Sequence, residues 1–212
     1  LTFIALMVSS NSVINADFSL PIEDYSVFVR DIDDFSSIKY EDTLSYFEMR
    51  DYLTSIEVSS EVINDFDTTY NLHTKTRSRG QLRYSLLGFH TSTTSIYYKT
   101  QFRASAGMIF YPDNNGVFTN PSSIETLEAA HIYTGAGSKC IFGGTIYFKL
   151  VNYNTVYWSY YGDLYKAGQV SWTVGGSIGV GKGASINGSI SNGSGFIKNI
   201  SYSGQRTLVG IS

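Results

Sequence analysis

The sequence predicts a sheet-dominated α+β protein, with an all-β sandwich as the alternative. Three observations carry that expectation. Aromatic residues are abundant, at 17 Tyr and 13 Phe, while Pro is scarce at 3; aromatic and β-branched side chains suit a half-buried pleated surface. After residue 80 long stretches alternate with a period of two. The segment before about residue 70 reads as the more helical part.

In chain order, residues 1–16 read LTFIALMVSSNSVINA, an apolar run followed by the small-residue end Ile14-Asn15-Ala16. This looks like the remnant of a signal peptide and points to secretion. Residues 17–212 read as a single domain, expected to continue beyond the last residue. Around Tyr40–Ile63 a helix is expected, with Leu44, Phe47 and Leu53 on one side and Asp42 or Thr43 as cap; short strands compete there. Residues 71–80 form a basic connector. Ile96–Phe110 alternates as one long strand, with Ile96, Tyr98, Thr100, Phe102, Ala104, Ala106, Met108 and Phe110 on one face. A turn is expected over Pro112–Gly116. Pro121 to about His131 reads as a short helix capped by Ser122 or Ser123. A second long strand is expected from Thr145 to Tyr161, with Ile146, Phe148 and Leu150 on one face.

Charge divides the chain. Residues 17–70 hold 14 acids against 3 bases, and residues 71–212 hold 4 acids against 12 bases. The acidic part is expected to pack on the basic remainder; the sharper alternative is that the basic part meets an anionic lipid surface. Lys and Arg are too few and scattered for a nucleic-acid footprint. Gly176–Gly183, GSIGVGKG, approaches a phosphate loop but has Gly183 where the Mg²⁺-holding hydroxyl belongs, so no nucleotide is expected. His73, His90 and His131 are far apart, no G-x-S-x-G surrounds any serine, and the carboxylates lack a paired spacing. No enzyme, metal or cofactor reading follows. Cys140 is the only cysteine and is expected to be buried and unreactive beside Ile141 and Phe142. Sequons begin at Asn187, Asn192 and Asn199; if used, they would put this segment on the outside.

The clearest pattern lies further on. Val170, Trp172, Val174, Ile178 and Val180 alternate with Ser171, Thr173, Gly175, Ser177 and Gly179, with no charge from 170 to 180. Soluble exposed strands are usually guarded by charge. A membrane β-strand needs about 9–11 residues, apolar on one side and polar on the other. The first set would face lipid and the second a lumen.

Residues 131–144, HIYTGAGSKCIFGG, resemble the signature of the membrane-attack-complex/perforin and cholesterol-dependent cytolysin superfamily, in which aromatic-Gly-Thr-His precedes a spacer and Gly-Gly. Thr134 stands in the threonine's place, and Phe142 precedes Gly143-Gly144. Gly135 replaces the histidine, and Ile132-Tyr133 stand where the aromatic and glycine belong. The resemblance implies a bent, twisted antiparallel sheet flanked by helical clusters that unravel into membrane-inserting hairpins. It further implies that residues 81–110 and the Gly/Ser segment insert, and that Thr207-Leu208-Val209-Gly210 closes the sheet. The partners would be membrane lipid and further copies of the chain.

Two functions are therefore expected in competition. One is a secreted pore-forming protein that oligomerises on a target membrane. The other is a secreted β-sandwich binding or adhesion module that never inserts. Residues 170–195 docked, partly helical or mobile would favour the first, and a short strand fixed in a sandwich would favour the second.

Overall fold

The computed structural model describes residues 28–32, 38–74, 80–90, 100–134, 140–167, 171–177, 183–191 and 194–208. The expected signal segment, Ile96–Lys99, Val170, Ile178–Val180 and Val209–Gly210 lie outside the described residues. The fold is sheet-dominated α+β, as the aromatic and alternating sequence predicts.

Two sheets stack beneath a helical layer. The first has the order β1-β2-β3-β4, from Val29–Asp31, Gln81–His90, Thr100–Pro112 and Phe118–Thr134; β1 is parallel to β2 and the other pairs are antiparallel. The second has the order β7-β8-β5-β6-β9, from Ser171–Ser177, Gly183–Ser191, Cys140–Asn152, Thr155–Lys166 and Phe196–Thr207, all antiparallel. Rings fill the space between the sheets. Phe89 meets Phe148 and Trp158 at 4.5 and 5.2 Å between centroids, and Phe102 meets Phe142 and Tyr160 at 5.0 and 4.9 Å. Tilted and edge-on pairs at such distances add to the burial term.

The other face of the first sheet carries α1 (Tyr46–Ser55) and α2 (Ser60–Thr74). Leu44, Met49, Leu53 and Phe66 pack there on Tyr84 and Leu86 of β2. Tyr46 stacks on Tyr70 at 3.8 Å, and its hydroxyl donates to Asp67, which also receives Arg50. The acidic segment thus packs on the basic remainder, with Arg83 donating to the Thr43 carbonyl and lying 4.0 Å from Glu48. β3 is covered on both sides, so Phe102, Ala104, Ala106, Met108 and Phe110 are buried, and so are Arg103 and Ser105 on its opposite face.

Several expectations need correction. The strands do not form the one bent antiparallel sheet that the resemblance implies: β3 belongs to the first of two sheets, and β5 and β6 to the second. Thr145–Tyr161 is not one strand, because the chain reverses at Tyr153-Asn154, where the Asn154 amide donates to the Asn152 side chain. The apolar face of its first half holds, with Ile146, Phe148 and Leu150 buried. Pro121–His131 is strand, not helix. Ile124, Leu127 and Ala130 recur every three residues and all reach the inter-sheet core. That spacing mimics a helix but comes from bulges: register shifts fall between Gly107 and Met108 and between Arg103 and Ser105, each adding a residue to β4. The cap of α1 is Ser45, in a reciprocal box with Glu48, rather than Asp42 or Thr43. Leu44 and Leu53 are buried but Phe47 is exposed. The turn over Pro112–Gly116 forms as expected, with Asp113 accepting from the Asn115 and Val117 amides and Gly116 at φ +81°.

Candidate functional site

Sheet pairing builds a hollow on the outer face of the second sheet. In the β5–β6 pair Gly143 opposes Asp163, Gly144 opposes Gly162 and Thr145 opposes Tyr161. β9 adds Asn199 opposite Asp163 and Ser201 opposite Tyr161. Because alternate residues share a face, Tyr157, Ser159, Tyr161, Asp163 and Tyr165 run along the outside of β6, while Trp158, Tyr160 and Leu164 are buried inside. Gly143 puts no side chain opposite Asp163. A cavity of about 350 Å³ opens there, lined by Tyr161, Asp163, Tyr165, Gly143, Thr145 and Ile190.

The carboxylate is held in place. Asn199 Nδ2 donates to Asp163 Oδ1 at 3.0 Å and to the Gly162 carbonyl at 3.1 Å, and the Tyr165 hydroxyl donates to Oδ2 at 3.3 Å. Desolvation, and then the Asp163 charge, pushes the Tyr165 phenol above its usual pKa, so it stays a donor at neutral pH. Beside it Tyr161 is 68% exposed.

Three glycines cross the sheet in one row: Gly162 opposes Gly144, which opposes Gly188 on β8. A Cβ at Gly144 would overlap the Tyr161 carbonyl oxygen, one at Gly162 the Gly143 carbonyl, and one at Gly143 the Ile190 side chain, at 2.5 Å. Close backbone approach requires glycine here. The signature residues Phe142, Gly143 and Gly144 thus sit at the hollow, with the Phe142 ring buried beneath it. Thr134 ends β4 opposite Thr100, away from them in sequence register.

The Gly/Ser segment forms a hairpin at one end of the second sheet. Ser171, Thr173, Gly175 and Ser177 oppose Ser191, Ser189, Asn187 and Ser185, while Trp172 and Val174 oppose Ile190 and Gly188. Small polar positions thus pair with small polar positions. Val170, Ile178, Gly179 and Val180 lie outside the described residues. Of the sequons, Asn187 is on β8 and Asn199 on β9, and Asn192 lies outside the described residues. Cys140 is buried at the start of β5, and burial raises its thiol pKa.

A second polar cluster lies between the helices and the first sheet. Arg103 Nη1 donates to the Tyr52 hydroxyl at 3.2 Å, Tyr52 donates to His131 Nε2 at 2.9 Å, and His131 Nδ1 donates to the Ala129 carbonyl at 2.9 Å. Burial pulls His131 down to about 4, so it is neutral and that chain of donors is consistent. The bulge that turns His131 to this face puts Ala129 at φ +50°, where a side chain is strained. Nearby, Glu128 is buried and burial pushes its pKa up to about 8. The Thr69 and Thr126 hydroxyls oppose that shift and Asp65 adds to it, yet neither carboxylate oxygen receives a well-formed hydrogen bond among the described residues. The cluster ties the helical layer to the first sheet, because Tyr52 of α1 bridges Arg103 of β3 and His131 of β4.

Protein-family models, curated proteins and solved structures all give no match to this chain. The geometry of the hollow therefore carries the functional argument. Sequence reading missed Tyr161, Asp163, Tyr165 and Asn199. The signal was the alternation of Tyr157, Tyr161 and Tyr165 with buried residues, broken by Gly162 and by the Asp163 charge.

Proposed function

We propose that this chain is a secreted, non-catalytic binding module that engages its ligand through the tyrosine-rich outer face of the second sheet. The observation that carries the reading is the hollow around Asp163, a carboxylate fixed by Asn199 and Tyr165 beside the exposed ring of Tyr161. Aromatic surface with a few convergent, pre-positioned polar groups is the usual make-up of a binding site. The Gly/Ser segment supports the same choice, since it is paired as short strands β7 and β8 in the sandwich. The test is flow cytometry of labelled protein on intact eukaryotic cells, with dye release from liposomes measured in parallel. Saturable binding, lost in the Tyr157→Ala/Tyr161→Ala variant and without dye release, is expected.

One observation favours the pore-forming reading. Among the described residues β7 pairs on one side only, and neither β7 nor β8 carries a charge to guard that edge. In that reading copies of the chain would join edge to edge on a lipid surface, satisfying every backbone amide. Dye release by the wild type, abolished by Val174→Lys and retained by Ser177→Lys, would replace the binding module with the pore former.

A further inference from the structure

We propose that the hollow is a subsite for one neutral pyranose ring of a glycan; this rests on the binding-module reading and names its ligand. A sugar ring offers two chemistries at once: an apolar face of C–H groups and a rim of hydroxyls. The hollow presents a counterpart to each. Tyr161 offers a largely uncovered ring, whose negative face attracts polarised C–H groups. Two residues further along the same strand, Asp163 holds two oxygens that each receive one protein donor, from Asn199 and Tyr165. A carboxylate has roughly four acceptor sites, so capacity remains for two hydroxyls of a vicinal diol. Such charge-assisted bonds are short and directional.

The backbone makes room for the ring. Gly143 carries no side chain opposite Asp163, and the Ile190 side chain lies over it as one wall of the cavity. A volume of about 350 Å³ admits one monosaccharide with its neighbours extending into solvent. The charge excludes other small ligands. Among the described residues that line the cavity, Asp163 is the sole ionised side chain, so phosphate, sulfate and sialic acid meet repulsion. A quaternary ammonium would be drawn to the carboxylate and rings, but could use none of the directional acceptor geometry that Asn199 and Tyr165 impose on Asp163.

The experiment is an immobilised panel of neutral gluco-, galacto-, manno- and N-acetylglucosamine oligosaccharides, with hits titrated by calorimetry. Tetramethylammonium is titrated alongside. Tyr161→Ala and Asp163→Asn are expected to weaken binding tenfold or more, on the order of a hot-spot residue. Tyr161→Phe, which keeps the ring, should retain binding. Tyr153→Ala, at an exposed turn away from the hollow, serves as the control, and thermal unfolding verifies that each variant is folded. Binding of tetramethylammonium without any sugar would overturn the proposal. So would sugar binding that survives both Tyr161→Ala and Asp163→Asn. Tyr161-dependent binding to cells that persists after glycosidase treatment would overturn it while leaving the binding module intact. An absence of both sugar and cell binding would remove the two together.

Discussion

Glu128 and His131 stand three residues apart on β4 and are buried in opposite senses. The folded protein keeps a proton on Glu128 up to about 8, whereas the unfolded chain releases it near 4.5. The folded state therefore binds more protons in that window, and stability falls as pH rises through it. His131 does the reverse. The native ring stays neutral down to about 4 while the unfolded ring takes up its proton near 6.5, so stability falls as pH drops through that range. The opposing slopes place the stability maximum at about pH 5–6. Urea titrations at pH 5.5 and 8.5 should show the wild type weaker at the higher pH by a few kcal/mol, on the order of the shift of Glu128. Glu128→Gln should reverse the sign of that difference, because only the His131 slope remains between the two pH values. A wild type more stable at pH 8.5 than at pH 5.5 would show that Glu128 titrates normally and that the His131 slope acts alone. Tyr52→Phe should cost about 1–3 kcal/mol by removing the hydroxyl between Arg103 and His131, measured in the same titrations.

At the scale of elements, the sequence showed which stretches alternate but not where they turn or bulge. β3 was legible because Phe102 to Phe110 keeps a strict period. β4 was not, since two bulges shift Ile124, Leu127 and Ala130 onto a three-residue spacing that a helix would also produce. The β5–β6 reversal was hidden in the short Asn152–Asn154 turn, which sits between two runs of the same aromatic alternation. Missing it hid the hollow too, because Gly143 and Asp163 become neighbours only through that hairpin. Asp163 was not singled out, because carboxylates were read for paired spacing, whereas its partners are an amide and a phenol. The Gly143-Gly144 pair was singled out, and strand pairing supplies its physical reason, since it lets backbones approach where side chains cannot fit. Gly162→Ala should therefore destabilise by about 2–3 kcal/mol, because the obstructing atom is the Gly143 carbonyl and not a mobile side chain. A thermal melt unchanged from the wild type would contradict the close approach of β5 and β6. Ser45→Ala should cost about 1 kcal/mol by removing the α1 cap.

The whole molecule has two interfaces of unequal character. Between the sheets lies an aromatic and aliphatic core centred on Phe89, Phe102, Phe142 and Phe148. Between the helices and the first sheet, apolar packing around Met49, Leu53 and Phe66 is interrupted by Asp65, Thr69, Thr126, Glu128, Arg103 and His131. Buried carboxyls without well-formed hydrogen bonds weaken an interface relative to an apolar one. The helices should therefore open as a unit of lower stability than the sandwich. The charged and titratable groups at that seam are Glu48 from α1, Asp65 from α2, Arg83 from β2, Arg103 from β3, and Glu128 and His131 from β4. Above about pH 8 the Glu128 carboxyl ionises beside Asp65, and the two like charges in a buried layer favour separation of the helices. Native-state hydrogen exchange, corrected for intrinsic rates, should then find α1 and α2 less protected than β3 and β5 at pH 6. That gap should widen at pH 8.5, as helix protection falls and strand protection does not. In Glu128→Gln the widening should vanish while the gap at pH 6 remains, because the neutral amide mimics the protonated acid. Helices and strands exchanging with one common free energy at both pH values would mean that the layers unfold as a single cooperative unit, and the seam would have no separate opening.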